Sequence, residues 1–166
     1  MFERLAEHSC IAVTGPQRSG TTIAAKIIAD DTGHRFVDEE EFGIDDVDQW
    51  RAFLTKERVV VHCPHFLKRI VDEAPSGVFV VLTRRPLEEI HASAGRLGWY
   101  SADWGNGREL AQFGVTEGDS AVLKYGYWDS NAKSFPHLEV PYASLEARPR
   151  FRGPEIRRNW DPGQTE

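Results

Sequence analysis

The chain has 166 residues, enough for one domain with a substantial core. Hydrophobic residues make up 40% and charged residues 28%, a balance that excludes a disordered or membrane-embedded chain. A formal net charge of −6 argues against sequence-independent nucleic-acid binding over the whole surface, leaving room only for a local basic groove.

Phe2–His8 reads as a short N-terminal helix or arm. Cys10–Val13 is apolar and has the length of a buried strand. The chain turns at Gly15 and Pro16, and Ile23, Ile27 and Ile28 then fall at helical spacing, with Gly33 placed to stop that helix near Asp31. His34–Asp38 is a second short strand ending in a carboxylate. The run Asp38–Asp48 holds seven acidic residues in eleven positions, which reads as a solvated loop and helix cap. Val47, Trp50, Phe53 and Leu54 predict a helix over about Asp45–Glu57.

Arg58–His62 is a third buried strand, and Pro64–Ala74 fits a helix packing through Leu67, Ile70 and Val71. Gly77–Thr83 is apolar on both faces, as a central parallel strand should be. It delivers Arg84 and Arg85, and Pro86 opens the next helix at the favoured first position. Gly98–Gly107, with Trp99, Tyr100 and Trp104, suggests an aromatic loop or lid. Asp119 caps a helix over Ser120–Phe135, although Gly126 weakens it, and Leu138–Tyr142 reads as a last strand. The tail from Arg148 is rich in Pro and Arg. Alternating strands and helices predict an α/β fold, a three-layer α/β/α arrangement on a mostly parallel sheet. It forms one domain over 1–166, with its core at about 9–145 and a tail at 146–166.

The segment Cys10–Ile28 organises this reading. A strand, a glycine-bracketed loop and a helix start make a phosphate cradle, because backbone N–H groups and the helix dipole point at one spot. Gly15 and Gly20 have the glycine spacing of the Walker A pattern, so the expected fold is P-loop NTPase-like. The lysine position holds Thr21, followed by Thr22, so the positive charge must come from elsewhere, and Arg18 is inside the loop. The candidate nucleotide contacts are therefore Gly15, Gln17, Arg18, Ser19, Gly20, Thr21 and Thr22. In a doubly wound sheet the carboxyl ends of the strands gather at one edge, where ligands bind. Asp38, His62, Arg84 and Arg85 stand at such ends, supplying a base and cations for group transfer to a hydroxyl.

Arg18-Ser19-Gly20-Thr21-Thr22 resembles the 5′-phosphosulfate loop of sulfotransferases, and His62-Cys63-Pro64 resembles their His-x-Pro. Arg85 and Ser93, eight residues apart, resemble the pair that holds the 3′-phosphate of the donor. Val140–Leu145 is similar to a late element of the same enzymes. The resemblance implies sulfuryl transfer from 3′-phosphoadenosine 5′-phosphosulfate to a hydroxyl acceptor, with His62 as general base, assisted by Arg18, and Arg84, Arg85 and Ser93 among the cofactor contacts.

Other readings remain. Small P-loop kinases have about this length and place an aspartate after strand two, as Asp38 is placed. In that reading ATP with Mg²⁺ is the donor, Thr21 or Thr22 contacts the metal, Asp38 is the base, and the acceptor is a small molecule, a nucleotide or a hydroxymethylated DNA base. Nucleic acid is a partner only in that reading. A third reading is a non-catalytic nucleotide-binding module. His62 also reads as a core histidine, Asp38 as a turn cap, and Arg84 and Arg85 as partners of the acidic loop. His65, His91 and His137 read as surface or helix residues. No Cys/His cluster suggests a resident metal. Cys10 and Cys63 read as reduced core thiols of a cytoplasmic protein. No apolar run approaches the roughly 18 residues of a membrane helix, so no membrane partner is expected.

Overall fold

The computed structural model describes residues 2–98, 105–132 and 135–148. Five strands form one parallel sheet in the order β2–β3–β1–β4–β5. They are β1 (Cys10–Thr14), β2 (Arg35–Val37), β3 (Val59–His62), β4 (Val78–Arg84) and β5 (His137–Pro141). Central β1 pairs with β3 through Val13 opposite His62, and with β4 through Thr14 opposite Leu82. That register brings Thr14, His62 and Arg84 to one edge of the sheet, with the ends of β2 and β5 beside them.

Side chains alternate across each strand, and the sheet is covered on both faces. Cys10, Ala12, Val59, Val61, Val80 and Leu82 face one core. Trp50, Phe53 and Leu54 from α3 (Val47–Leu54), Leu67, Ile70 and Val71 from α4 (Leu67–Glu73), and Trp128 from α7 (Ser120–Asn131) fill it. Trp50 stacks on Phe66 with centroids 4.7 Å apart. Ile11, Val13, Val60, Val81 and Val140 face the other core, filled by Ala24, Ile27 and Ile28 of α1 (Thr21–Thr32) and Leu145 of α8 (Tyr142–Glu146). Phe2 and Leu5, flanking and within a 3-10 turn over Glu3–Glu7, close that side. Each such large side chain contributes on the order of 1.5–3 kcal/mol by leaving water.

Local signals explain most boundaries. Gly33 ends α1 in the left-handed conformation, and the His34 N–H bonds Ala29 O at 3.1 Å, so the helix stops where a glycine permits it. Asp46 caps α3 through the Gln49 N–H, and Thr55 ends it, which makes α3 shorter than the expected Asp45–Glu57. The predicted Pro64–Ala74 helix divides into a 3-10 turn at Pro64–Phe66 and α4. Within the acidic run, Asp38 caps a single turn, α2 (Glu39–Phe42), by a reciprocal bond with Glu41. Helix α5 spans Leu87–Arg96, and α7 ends at Asn131 rather than Phe135. Helix α6 (Gly105–Ala111) was not expected, because its glycines read as loop. Trp99, Tyr100 and Trp104 of the expected lid, and all of the tail beyond Arg148, lie outside the described residues. Cys10 and Cys63 are buried free thiols, and burial pushes the Cys10 thiol up to about 12. Among the described residues, no helix is long and apolar enough to cross a membrane.

Candidate functional site

The loop from Gly15 to Gly20 joins β1 to α1 at the carboxyl edge of the sheet. Gly15 has φ +149°, and a Cβ there would lie 2.7 Å from Thr83 Oγ1 and 2.9 Å from Thr83 O, so only glycine lets the loop touch β4 this closely. Ser19 is fully buried. Its hydroxyl donates to Pro16 O at 2.6 Å and shares a 2.6 Å bond with Thr83 Oγ1, so it braces the loop from inside. Gly20 caps α1 in the left-handed region at φ +92°, and no side chain caps the first turn. The orphan N–H groups of that turn are the usual donors to an anion.

Between these glycines, Arg18 adopts φ +68°, a conformation that costs a non-glycine residue about 1–2 kcal/mol. Its Nε donates to Ser93 Oγ at 3.1 Å, and Arg85 Nη1 donates to the Arg18 carbonyl at 3.1 Å. Burial, and then the charges of Arg85 and Arg96, hold the Arg18 guanidinium below its usual range. Among the described residues no carboxylate pairs with Arg18, so two guanidiniums, those of Arg18 and Arg85, meet at the loop with one exposed partner, Glu89, on Arg85. Arg85 also lies over the Tyr142 ring, 4.0 Å from its centroid, and its backbone N–H donates to Tyr125 OH at 2.8 Å. Strand pairing and these contacts together fix where Arg85 leaves the sheet.

The two candidate bases meet. His62 Nε2 lies 3.0 Å from Thr21 Oγ1 and 3.2 Å from Thr22 Oγ1, at the first turn of α1. Its other nitrogen, Nδ1, is 3.6 Å from Asp38 Oδ1, an ion-pair distance beyond hydrogen bonding, and has no hydrogen-bond partner among the described residues. Burial raises the Asp38 carboxyl, but His62 and the Glu40 and Glu39 backbone N–H groups outweigh it and hold the carboxyl below its usual range. Asp38 therefore caps α2 and faces His62 at once. Next to it, burial raises the Glu39 carboxyl, whose Oε2 is buried without a hydrogen-bond partner among the described residues.

Several expected contacts are arranged differently. Arg84 turns to ion pairs with Asp129 and Glu139, away from both the loop and the acidic run. Ser93 is buried and bonds Arg18, not Arg85. Glu41 of the acidic run pairs with Arg35 rather than with Arg84 or Arg85. His65, read as a surface or helix residue, is buried and its Nδ1 lies 2.8 Å from Glu109 Oε1. Glu109 of α6 and Lys124 of α7 were missed. Their signal in the sequence is slight, because a lone charge on a helix reads as solvated. Gln17 joins this hidden group. Its Nε2 donates to Glu109 Oε1 at 2.5 Å, and its Oε1 accepts from Lys124 Nζ at 2.7 Å.

Among the described residues no cluster of three or more His, Cys, Asp or Glu side chains is placed to hold a metal ion. A Mg²⁺ ion held mainly by donor phosphates and water needs only one or two protein oxygens, and the Thr22 hydroxyl and Asp38 carboxylate flank His62 on its two ring nitrogens. Because the imidazole stands between the two oxygens, one ion reaches only one of them, and the Thr22 hydroxyl at the start of α1 is the donor that fits. Compared with protein-family models, with curated proteins and with solved structures, the chain matches none.

Proposed function

We propose that this chain is a nucleotide-dependent group transferase of the P-loop type, moving a charged group from a nucleotide to a hydroxyl acceptor. The observation that carries the reading is the convergence at one sheet edge of a helix start that no described side chain caps, two guanidiniums and a histidine faced by a carboxylate. The helix start, Arg18 and Arg85 stabilise the negative charge of the transferred group. His62 Nε2, neutral, takes the acceptor proton, and Asp38 facing Nδ1 stabilises the imidazolium that results. Thr21 and Thr22 hold the Nε2 edge of the ring toward the loop.

Two donors fit this arrangement, and the geometry favours ATP with Mg²⁺. Ser93 and Arg85 both bond Arg18, so the groups that would grip a separate 3′-phosphate instead crowd the loop that would hold the 5′-phosphates. Crowding of this kind suits the phosphate chain of a nucleoside triphosphate, where cations gather on one transferred phosphoryl. When bound, Mg²⁺ would neutralise phosphate charge beside Thr22. The sulfuryl reading keeps one specific support, the Arg18–Thr22 loop sequence with His62-Cys63-Pro64 after β3. Acceptors in either case carry a hydroxyl: a sugar, a nucleoside or a hydroxymethylated DNA base.

Donor consumption decides the matter. The protein is incubated with ATP–Mg²⁺ or with 3′-phosphoadenosine 5′-phosphosulfate and a panel of such acceptors. Acceptor-dependent release of ADP that falls roughly 10²–10⁴-fold in His62→Asn is the expected result. Release of 3′-phosphoadenosine 5′-phosphate instead would reassign the donor. Nucleotide binding with no transfer from either donor would make the chain a binding module.

A further inference from the structure

We infer that Lys124, from α7, is a positioning residue for the glycine loop, holding it through Gln17 with its ion-pair partner Glu109. This rests on the nucleotide reading above and names what keeps that site in shape.

Lys124 is fully buried, a rare state for lysine, and its ammonium is completely engaged. It donates to Gln17 Oε1 at 2.7 Å and to Pro64 O at 2.8 Å, and it pairs with the Glu109 carboxylate. Glu109, itself buried, accepts from the opposite end of the same Gln17 amide at 2.5 Å. The Gln17 side chain is thus gripped at both ends by an ion pair whose members come from different helices. His65 Nδ1, 2.8 Å from Glu109, and Gln112 Nε2, 3.1 Å from His65, extend the network.

The position of that grip gives it a purpose. Arg18, the next residue, holds φ +68°, and a strained non-glycine backbone persists only where its surroundings over-determine it. On one side of Arg18 the hydroxyl of Ser19 is tied to Pro16 O and Thr83; on the other side the tie is Gln17 to Lys124 and Glu109. Without the second tie, Arg18 is free to relax and the donors of the loop disperse. The pair also sets the local field. Glu109 cancels most of the Lys124 charge, so removing one or the other must move anion affinity in opposite directions, whereas a purely structural pair would move it in one direction.

The test measures binding of inorganic pyrophosphate by titration calorimetry to the wild-type chain, to Glu109→Gln and to the double variant E109Q/K124M. Glutamine at 109 keeps an acceptor for Gln17 and removes the charge, its amide nitrogen taking the place of the oxygen that faced Lys124, and the double variant is charge-balanced, so it folds even if a lone buried charge does not. Glu109→Gln is expected to bind about tenfold more tightly than wild type, and the double variant about tenfold more weakly, since Gln17 then loses its lysine. Equal affinities in all three, or a double variant as tight as wild type, would overturn the assignment while leaving the cradle intact. A wild-type chain that binds no pyrophosphate would overturn the cradle itself, and the role of Lys124 with it.

Discussion

Gly20→Ala tests the loop geometry at its tightest point. An alanine Cβ there would lie 2.5 Å from Tyr142 Cδ2 and 2.8 Å from Cε2. These are ring atoms near the backbone of α8, with the Arg85 guanidinium 4.0 Å from the ring centroid, so the ring has little freedom to retreat. Two costs add. Holding alanine at φ +92° costs about 1–2 kcal/mol, and overpacking against the ring about 1–3 kcal/mol. The expected loss is about 2–5 kcal/mol out of the ~5–15 kcal/mol of a typical domain. The two parts separate in a double-mutant cycle. Tyr142→Ala opens the space, so G20A/Y142A keeps the backbone cost and sheds the collision, giving a coupling of about 1–3 kcal/mol. Urea unfolding followed by tryptophan fluorescence measures all four proteins. A Gly20→Ala chain that loses under about 1 kcal/mol, or a double variant whose cost is the simple sum of the singles, would refute the close approach of α8 to the loop.

Two carboxylates should pull stability in opposite directions with pH. The Asp38 carboxyl is held low in the folded chain, so its contribution is complete above the ordinary aspartate value of about 3.9 and is lost as pH falls through the depressed value; the gap between wild type and Asp38→Asn should close on acidification. The Glu39 carboxyl is raised, so it opposes folding above its folded value and ceases to matter below about 4.3; Glu39→Gln should be more stable than wild type at neutral pH and equal to it in acid. Denaturant midpoints across the pH range check both, and a pH-independent gap in either variant would contradict the surroundings assigned to that group: His62 and the backbone N–H groups for Asp38, burial for Glu39. Arg84→Ala should cost no more than about 1 kcal/mol, since its partners Asp129 and Glu139 are largely exposed, and should leave nucleotide affinity unchanged. A loss of nucleotide affinity in titration calorimetry would return Arg84 to the site.

The sheet was legible because its strands are apolar runs bounded by Gly, Pro and charged residues. Gly77–Thr83 and Arg58–His62 correspond to β4 and β3 within two residues. The glycine loop was legible for a related reason: glycines at 15 and 20 are demanded by contacts with Thr83 and Tyr142, and those demands leave a fixed spacing. What escaped is what depends on chain reversal. Whether His62 and Asp38 belong to rival mechanisms or to one site turns on the pairing of β2 with β3, which brings Val37 opposite Val61 and the next residues side by side. Helical periodicity marks the apolar face of α7, but not that Lys124 points inward to Glu109 and Gln17, because a buried charge is a tertiary event with no local pattern. Arg84 and Arg85 are adjacent in sequence, and only the packing of α7 and β5 sends the first to Asp129 and Glu139 and the second to the loop.

The most direct measurement is calorimetric titration of wild type and Arg18→Ala with ATP–Mg²⁺, 3′-phosphoadenosine 5′-phosphate and AMP. The account predicts that wild type binds ATP–Mg²⁺ most tightly of the three. Arg18→Ala should lose on the order of 1.5–3 kcal/mol of that affinity, roughly ten- to a hundredfold, through a lost charged partner of phosphate. Absence of binding to all three, or an Arg18→Ala chain that binds as wild type does, would contradict the assignment of this loop as a nucleotide cradle.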